Sequence, residues 1–179
     1  MGKVRIIGGE HRSRILQFND KVVGLRPTTD RVRETLFNWL GQDLTDKICL
    51  DLFAGSGVLG FEAASRGAKF VTLVDVNHEV IQSILQNKKL LKLDNIEVIQ
   101  YDSINYLSHT KNFTDIIFLD PPYNTNLLDK CLRIIESNKA VFKNTLLYIE
   151  YRQVPDLSNY EILKSAKAGI VRYSLIKLL

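Results

Sequence analysis

From residue 48 onward, five short runs rich in apolar and β-branched residues alternate with stretches of helical periodicity. This alternation constrains the fold more than any other feature of the chain. The runs cover residues 48–53, 70–75, 96–101, 115–120 and 146–151, and most end in an acid or a Gly/Pro turn, as strands do at a sheet edge. Helical patterns fill 58–66, 79–91, 103–110 and 126–137. Strands and helices repeated in this order bury both faces of a mostly parallel sheet through right-handed crossovers. The rhythm then changes: residues 160–166 and 171–178, joined through Lys167-Ala168-Gly169, read as a hairpin with no helix between its arms. Ahead of the repeat, residues 29–40 read as a helix with Asp30 or Thr29 near its N-cap. Residues 3–24 read as short basic strands separated by Gly8-Gly9 and Asn19-Asp20. With no repeat, low-complexity tract or linker in 179 residues, the expectation is one domain over 1–179. It comprises a basic N-terminal extension and helix (1–41) and a ligand-binding catalytic core (48–179).

Charge is distributed unevenly. Residues 1–33 carry eight basic side chains (Lys3, Arg5, Arg12, Arg14, Lys21, Arg26, Arg31, Arg33) against Glu10, Asp20 and Asp30, a net +5. The other 146 residues carry 16 basic and 17 acidic side chains, a net −1. Six of the eight are arginines, which suit bidentate phosphate contacts, so Arg5, Arg12, Arg14, Arg26, Arg31 and Arg33 are the candidate nucleic-acid contacts. A solvated charged face is the competing interpretation of charge alone. No run approaches the roughly 18 apolar residues of a membrane span, and Met1-Gly2-Lys3-Val4-Arg5 lacks a signal-peptide core. Cys49 and Cys131 sit among apolar neighbours and read as reduced core residues of a cytoplasmic protein. His11, His78 and His109 show no metal-ligand spacing, so no metal is expected.

Asp51-Leu52-Phe53-Ala54-Gly55-Ser56-Gly57 ends the first core strand and opens a helix. Small residues there let backbone approach a ligand, and the helix start offers unpaired N–H groups. Residues 55–60 also satisfy G-x-G-x-x-G, and Asp75 closes the next strand where a carboxylate can accept from two ribose hydroxyls. The bare pattern fits a nicotinamide dinucleotide. Three features favour S-adenosylmethionine (SAM) instead. Asp51 puts negative charge where a pyrophosphate would sit, which suits an ammonium and a sulfonium. Asp102 follows the third strand, placed to accept from an adenine amino group. The fourth strand ends in a motif with no part in hydride transfer. Capping of turns and helices is the structural alternative for these acids. Asp51, Phe53, Gly55, Gly57, Asp75 and Asp102 are the candidate cofactor residues.

That motif is Asp120-Pro121-Pro122-Tyr123, the most specific signal in the chain and its candidate catalytic segment. An exocyclic amine on a base is a poor nucleophile, because its lone pair is delocalised into the ring. Hydrogen-bond acceptors on the NH₂ turn that lone pair toward a methyl donor. The Asp120 carboxylate is one, and a carbonyl held by two prolines can be another. The Tyr123 ring offers a stacking face worth about 1–3 kcal/mol; its ring rather than its hydroxyl is the expected contributor. No covalent nucleophile is needed, since positioning carries most of the rate.

Together these motifs resemble the amino-methyltransferases of nucleic acids. Arg26-Pro27-Thr28-Thr29-Asp30-Arg31-Val32-Arg33-Glu34-Thr35-Leu36-Phe37-Asn38-Trp39-Leu40 narrows the resemblance, with Arg5-Ile6-Ile7-Gly8-Gly9 before it and Lys167-x-Gly169 near the end. The chain resembles the RsmD family, which methylates the N2 amino group of a guanine in bacterial 16S ribosomal RNA. The resemblance implies a Rossmann-like, class I SAM-dependent methyltransferase fold, α/β in class. It has a seven-stranded, mostly parallel sheet, an antiparallel C-terminal strand and helices on both faces. It also implies that Asp51, Gly55 and Gly57 shape the SAM site, Asp75 binds ribose and Asp102 meets adenine. Asp120, Pro121, Pro122 and Tyr123 would then hold the guanine, while residues 26–40 close over the methionine end and meet RNA. Asp75 departs from the family's usual Glu. The partner implied is 16S rRNA or an assembling small subunit, and a monomer is expected. Rival readings are a DNA adenine-N6 or cytosine-N4 amino-methyltransferase, for whose target-recognition insert 179 residues leave no room, and a non-catalytic RNA-binding assembly factor.

Overall fold

Leu16 and Phe18 alternate with exposed neighbours in the basic arm, and that two-residue period makes a strand of each half of it. In the computed structural model, which describes residues 1–22 and 24–179, β1 (Gly2–Arg5) and β2 (Ile15–Phe18) form an antiparallel ribbon. Position 23, inside the expected 3–24 segment, lies outside the described residues. The chain continues through α1 (Asp30–Leu40), β3 (Ile48–Asp51), α2 (Val58–Ser65), β4 (Phe70–Asp75), α3 (His78–Leu91) and β5 (Ile96–Gln100). Then follow α4 (Ser103–His109), β6 (Ile116–Leu119), α5 (Leu127–Ser137), α6 (Lys139–Phe142), β7 (Leu146–Tyr151), β8 (Tyr160–Ala168) and β9 (Val171–Leu178).

Seven strands form one sheet in the order β5-β4-β3-β6-β7-β9-β8. Neighbours from β5 to β7 pair in parallel, and the C-terminal strand β9 inserts antiparallel between β7 and β8. The alternation of side chains sorts the core into two layers. Cys49, Val71, Leu73, Phe118 and Tyr148 face α1, α2 and α3. Leu50, Val74, Ile117, Leu119 and Ile149 face α4 and α5. Helices therefore cover both faces. The one-turn α6 was not anticipated: four residues are too few to show a period, and its anchor is the single buried Phe142.

The arm docks on α2. Ser65 Oγ donates to the Gly8 carbonyl (2.6 Å) and accepts from the His11 N–H (2.9 Å), while the Glu10 N–H donates to the Ser65 carbonyl (2.7 Å). Gly9 holds φ +75°, and a Cβ there would sit 1.9 Å from the Ser65 carbonyl oxygen; only glycine permits this approach. Covered by the arm on one side and the sheet on the other, all eight residues of α2 are buried.

One candidate nucleic-acid contact is corrected here. Arg33 is fully buried, with its guanidinium bonded to the Glu62 carboxylate, the Asp30 carboxylate and the carbonyls of Arg5 and Thr28. Glu62 also holds Arg66 and the Ile7 N–H. Arg33 is thus part of a buried ionic knot that joins arm, α1 and α2, and it cannot reach a phosphate. Arg5, Arg12, Arg14, Arg26 and Arg31 remain exposed, with Arg5 also pairing Asp30 at 3.2 Å.

Candidate active site

β3 pairs with β4 on one side and β6 on the other, so the strand order reverses between β3 and β6, and a crevice opens there at the carboxyl edge of the sheet. Every candidate acid lies on this edge. Asp102 follows β5, Asp75 ends β4, Asp51 ends β3 and Asp120 follows β6. Beside them on β7 lies Glu150, which the sequence reading did not single out. A lone acid one residue from the end of an otherwise apolar run was the available signal.

The glycine loop is shaped for close backbone approach. Gly55 and Gly57 have φ of +53° and +77°, and Gly57 N-caps α2 in the left-handed region. A Cβ at Gly55 would come within 2.9 Å of Leu25 Cδ1, so the segment before α1 already lies over the loop. Gly60 presses α2 onto β4, where a Cβ would stand 2.8 Å from Leu73 Cγ. Two of the neighbouring acids also organise the loop, and the third caps α4. Asp51 accepts from the Gly60 N–H (3.1 Å). Asp75 accepts from the Gly55 N–H (3.0 Å) and the Asn77 N–H (2.9 Å). Asp102 N-caps α4 by accepting from the Asn105 N–H (2.8 Å). A carboxylate has about four lone-pair positions, so Asp75 and Asp102 hold these bonds with acceptor capacity to spare. Phe53, half-buried, packs against the layer under α4 and α5.

At the crevice, burial dominates the electrostatics. Desolvation pushes the Asp51 carboxyl up to about 7, with the charge of Asp75 adding to the shift. Asp120 is raised well above the ordinary carboxyl range by burial, then by the charges of Glu150 and Asp51. Glu150, almost fully buried, is also raised by desolvation. Hydrogen bonds from Tyr148 Oη (2.8 Å), Tyr123 Oη (3.0 Å) and Thr28 Oγ1 (3.3 Å) oppose that shift. The Tyr123 hydroxyl is therefore engaged, contrary to the expectation that only its ring matters. The Arg152 guanidinium lies 4.6 Å from the centre of that ring. Pro122, Tyr123, Thr125, Glu150, Arg152 and Val154 line a recess at this point. Among the described residues no cluster of metal-ligating side chains occurs, and no helix is long and apolar enough to cross a membrane.

The reversed strand order, the glycine loop at the switch point and the single antiparallel strand next to the sheet's edge define a Rossmann-like class I methyltransferase. Residues 4–177 match the family described as "Conserved hypothetical protein 95". Ribosomal RNA small subunit methyltransferase D of Escherichia coli (strain K12) is 40% identical over 178 residues, covering 97% of this chain and 89% of that protein. The Haemophilus influenzae protein of the same name is 41% identical over 181 residues, covering 97% and 93%. The solved structure of yhhF from Escherichia coli superimposes with a TM-score of 0.88 at 40% identity, covering 99% of this chain and 98% of that one. The chain belongs to the RsmD family.

Proposed function

We propose that the protein transfers a methyl group from SAM to the exocyclic N2 amino group of a guanine in 16S ribosomal RNA. The observation that carries this reading is the juxtaposition of the glycine loop after β3 with Asp120-Pro121-Pro122-Tyr123 after β6, on the two strands that flank the switch point. The row of acids favours a cationic donor: a dinucleotide's pyrophosphate would meet Asp51 and Asp75, whereas an ammonium and a sulfonium relieve their mutual repulsion. SAM supplies a methyl group on a sulfonium, so an N–C bond forms as the S–C bond breaks and its electron pair stays on sulfur.

Asp75 and Asp102 would hold the ribose and adenine, with Asp51, Phe53, Gly55 and Gly57 shaping the floor. Asp120 accepts one N–H of the target amine. The Pro122 carbonyl is already engaged by Thr125 Oγ1 (2.6 Å), so we assign the second acceptor to the Pro121 carbonyl. A base stacking on the Arg152 side of Tyr123 replaces a guanidinium there. Recognition of rRNA rests on the names of the relatives and on the exposed arm arginines; guanine is assigned from family membership. Incubation with methyl-labelled SAM tests the reading: label should enter small-subunit rRNA, and label entering DNA instead would favour the rival reading.

Asp75→Ala should weaken SAM binding by roughly 1–3 kcal/mol, because two ribose hydroxyls lose a charged acceptor. Unchanged affinity by calorimetry would displace the ribose from this position. For the arm, Arg12→Ala with Arg14→Ala should weaken RNA binding. It should also flatten the salt dependence by about one unit of log–log slope per lost phosphate contact, with SAM affinity unaltered. If affinity and slope both hold, these two exposed arginines are only solvated.

A further inference from the structure

We propose that Glu150 is a positioning residue of this reaction. It pins Tyr123 by its hydroxyl and sets a buried carboxyl near the half-buried Asp120, so that the proton released by the methylated amine passes to Asp120 under the influence of Glu150. The inference rests on the reaction proposed above. When the amine gains a methyl group, its nitrogen becomes positively charged. One N–H bond then breaks, its electron pair stays on nitrogen, and the proton passes to a carboxylate oxygen. Asp120 is the group within reach, and its efficiency as an acceptor rises as its basicity approaches the working pH.

The surroundings of Glu150 fit this role. Its carboxylate takes three side-chain hydrogen bonds, from its own strand (Tyr148), from the loop after β6 (Tyr123) and from the segment before α1 (Thr28). No lysine or arginine pairs with it among the described residues. The ionisable groups facing it are Tyr148, Tyr123 and Asp120 just after β6, with Arg152 over the outer Tyr123 ring and Asp51 acting on Asp120 from the end of β3. Two neighbouring like charges, one buried and one half-buried, resist ionising together, so such a pair holds one proton more readily than either acid alone. Thr28 also ties residues 26–40 to the chemistry: the segment that covers the glycine loop through Leu25 reaches Glu150 three residues later.

Carboxyl-carbon NMR titration of the full-length, donor-free protein tests the pair without requiring turnover. Glu150→Gln keeps the shape and removes the charge, so the Asp120 midpoint should fall by about one pH unit. Asp120→Asn should lower the Glu150 midpoint reciprocally. In methyl transfer, the acid limb of the kcat profile of Glu150→Gln should move to lower pH in step with Asp120, since Asp120 must be ionised to act. A residue that only packs would leave that limb in place. Midpoints that stay put in both folded variants overturn the pair even if the wild type methylates. Coupled midpoints in a wild-type protein that never methylates rRNA would instead overturn the reaction the pair is assigned to serve.

Discussion

Asp120→Ala should lose most methyl transfer, on the order of a hundredfold or more in kcat, while SAM affinity stays nearly intact. The interaction it removes matures only as the nitrogen pyramidalises and gains charge, so the damage falls on the transition state rather than on donor binding. The target guanine has to leave its stack or pair to bring its amine to Asp120, so Asp120→Ala should also leave RNA binding by the arm unimpaired. Asp120→Asn is the finer comparison. Its amide oxygen still accepts from the NH₂ but cannot stabilise the positive charge or take the proton. Its rate should therefore fall between those of the wild type and Asp120→Ala. Single-turnover kinetics at saturating SAM separates these cases; an Asp120→Ala protein methylating at the wild-type rate would place the chemistry elsewhere.

Glu62→Ala should destabilise the fold by about 3–5 kcal/mol, with no residue of the crevice altered. Glu62 is fully buried and bonds Arg33 Nη1 and Arg66 Nη1 at 2.5 Å each, and it accepts from the Ile7 N–H at 2.7 Å. Removing it leaves two buried guanidiniums facing each other with only Asp30, half exposed, as counter-charge. Arg66 also lies 4.3 Å from the centre of the Phe37 ring, so the loss spreads from α2 into the contact with α1. The arm and α1 should loosen first, because this knot is what fastens them to α2. Guanidinium denaturation measures the loss, and hydrogen exchange in residues 2–40 locates it. A change below about 1 kcal/mol would mean that the knot contributes no more than a surface pair.

The buried Arg33 and the overlooked Glu150 have a common cause. Strand ends were legible because Asp51, Asp75 and Asp120 interrupt apolar runs where a parallel sheet meets its ligand edge, a local signal. Burial of a charge is not local. Arg33 looked like its five exposed neighbours in the arm, because Glu62 lies 29 residues away in a helix whose other residues are apolar or small. Glu150 drew no notice within the apolar run 146–151, and only the fold brings Thr28, 122 residues earlier, and Tyr123, 27 residues earlier, onto its carboxylate. The hairpin of β8 and β9 was visible from Gly169 and two strand-like arms. The antiparallel sense of the C-terminal strand came through the family resemblance; its insertion between β7 and β8 is seen only in the fold, since no residue pattern specifies which hairpin arm pairs with β7.

The identity of the modified atom decides the function. Small-subunit rRNA and assembled particles incubated with the protein and methyl-labelled SAM, digested to nucleosides and analysed by mass spectrometry, give that identity directly. Label should appear in N2-methylguanosine with the wild type and be nearly absent with Asp120→Ala. Label in N6-methyladenosine or N4-methylcytosine, or no labelled nucleoside from either substrate, would contradict the proposed function.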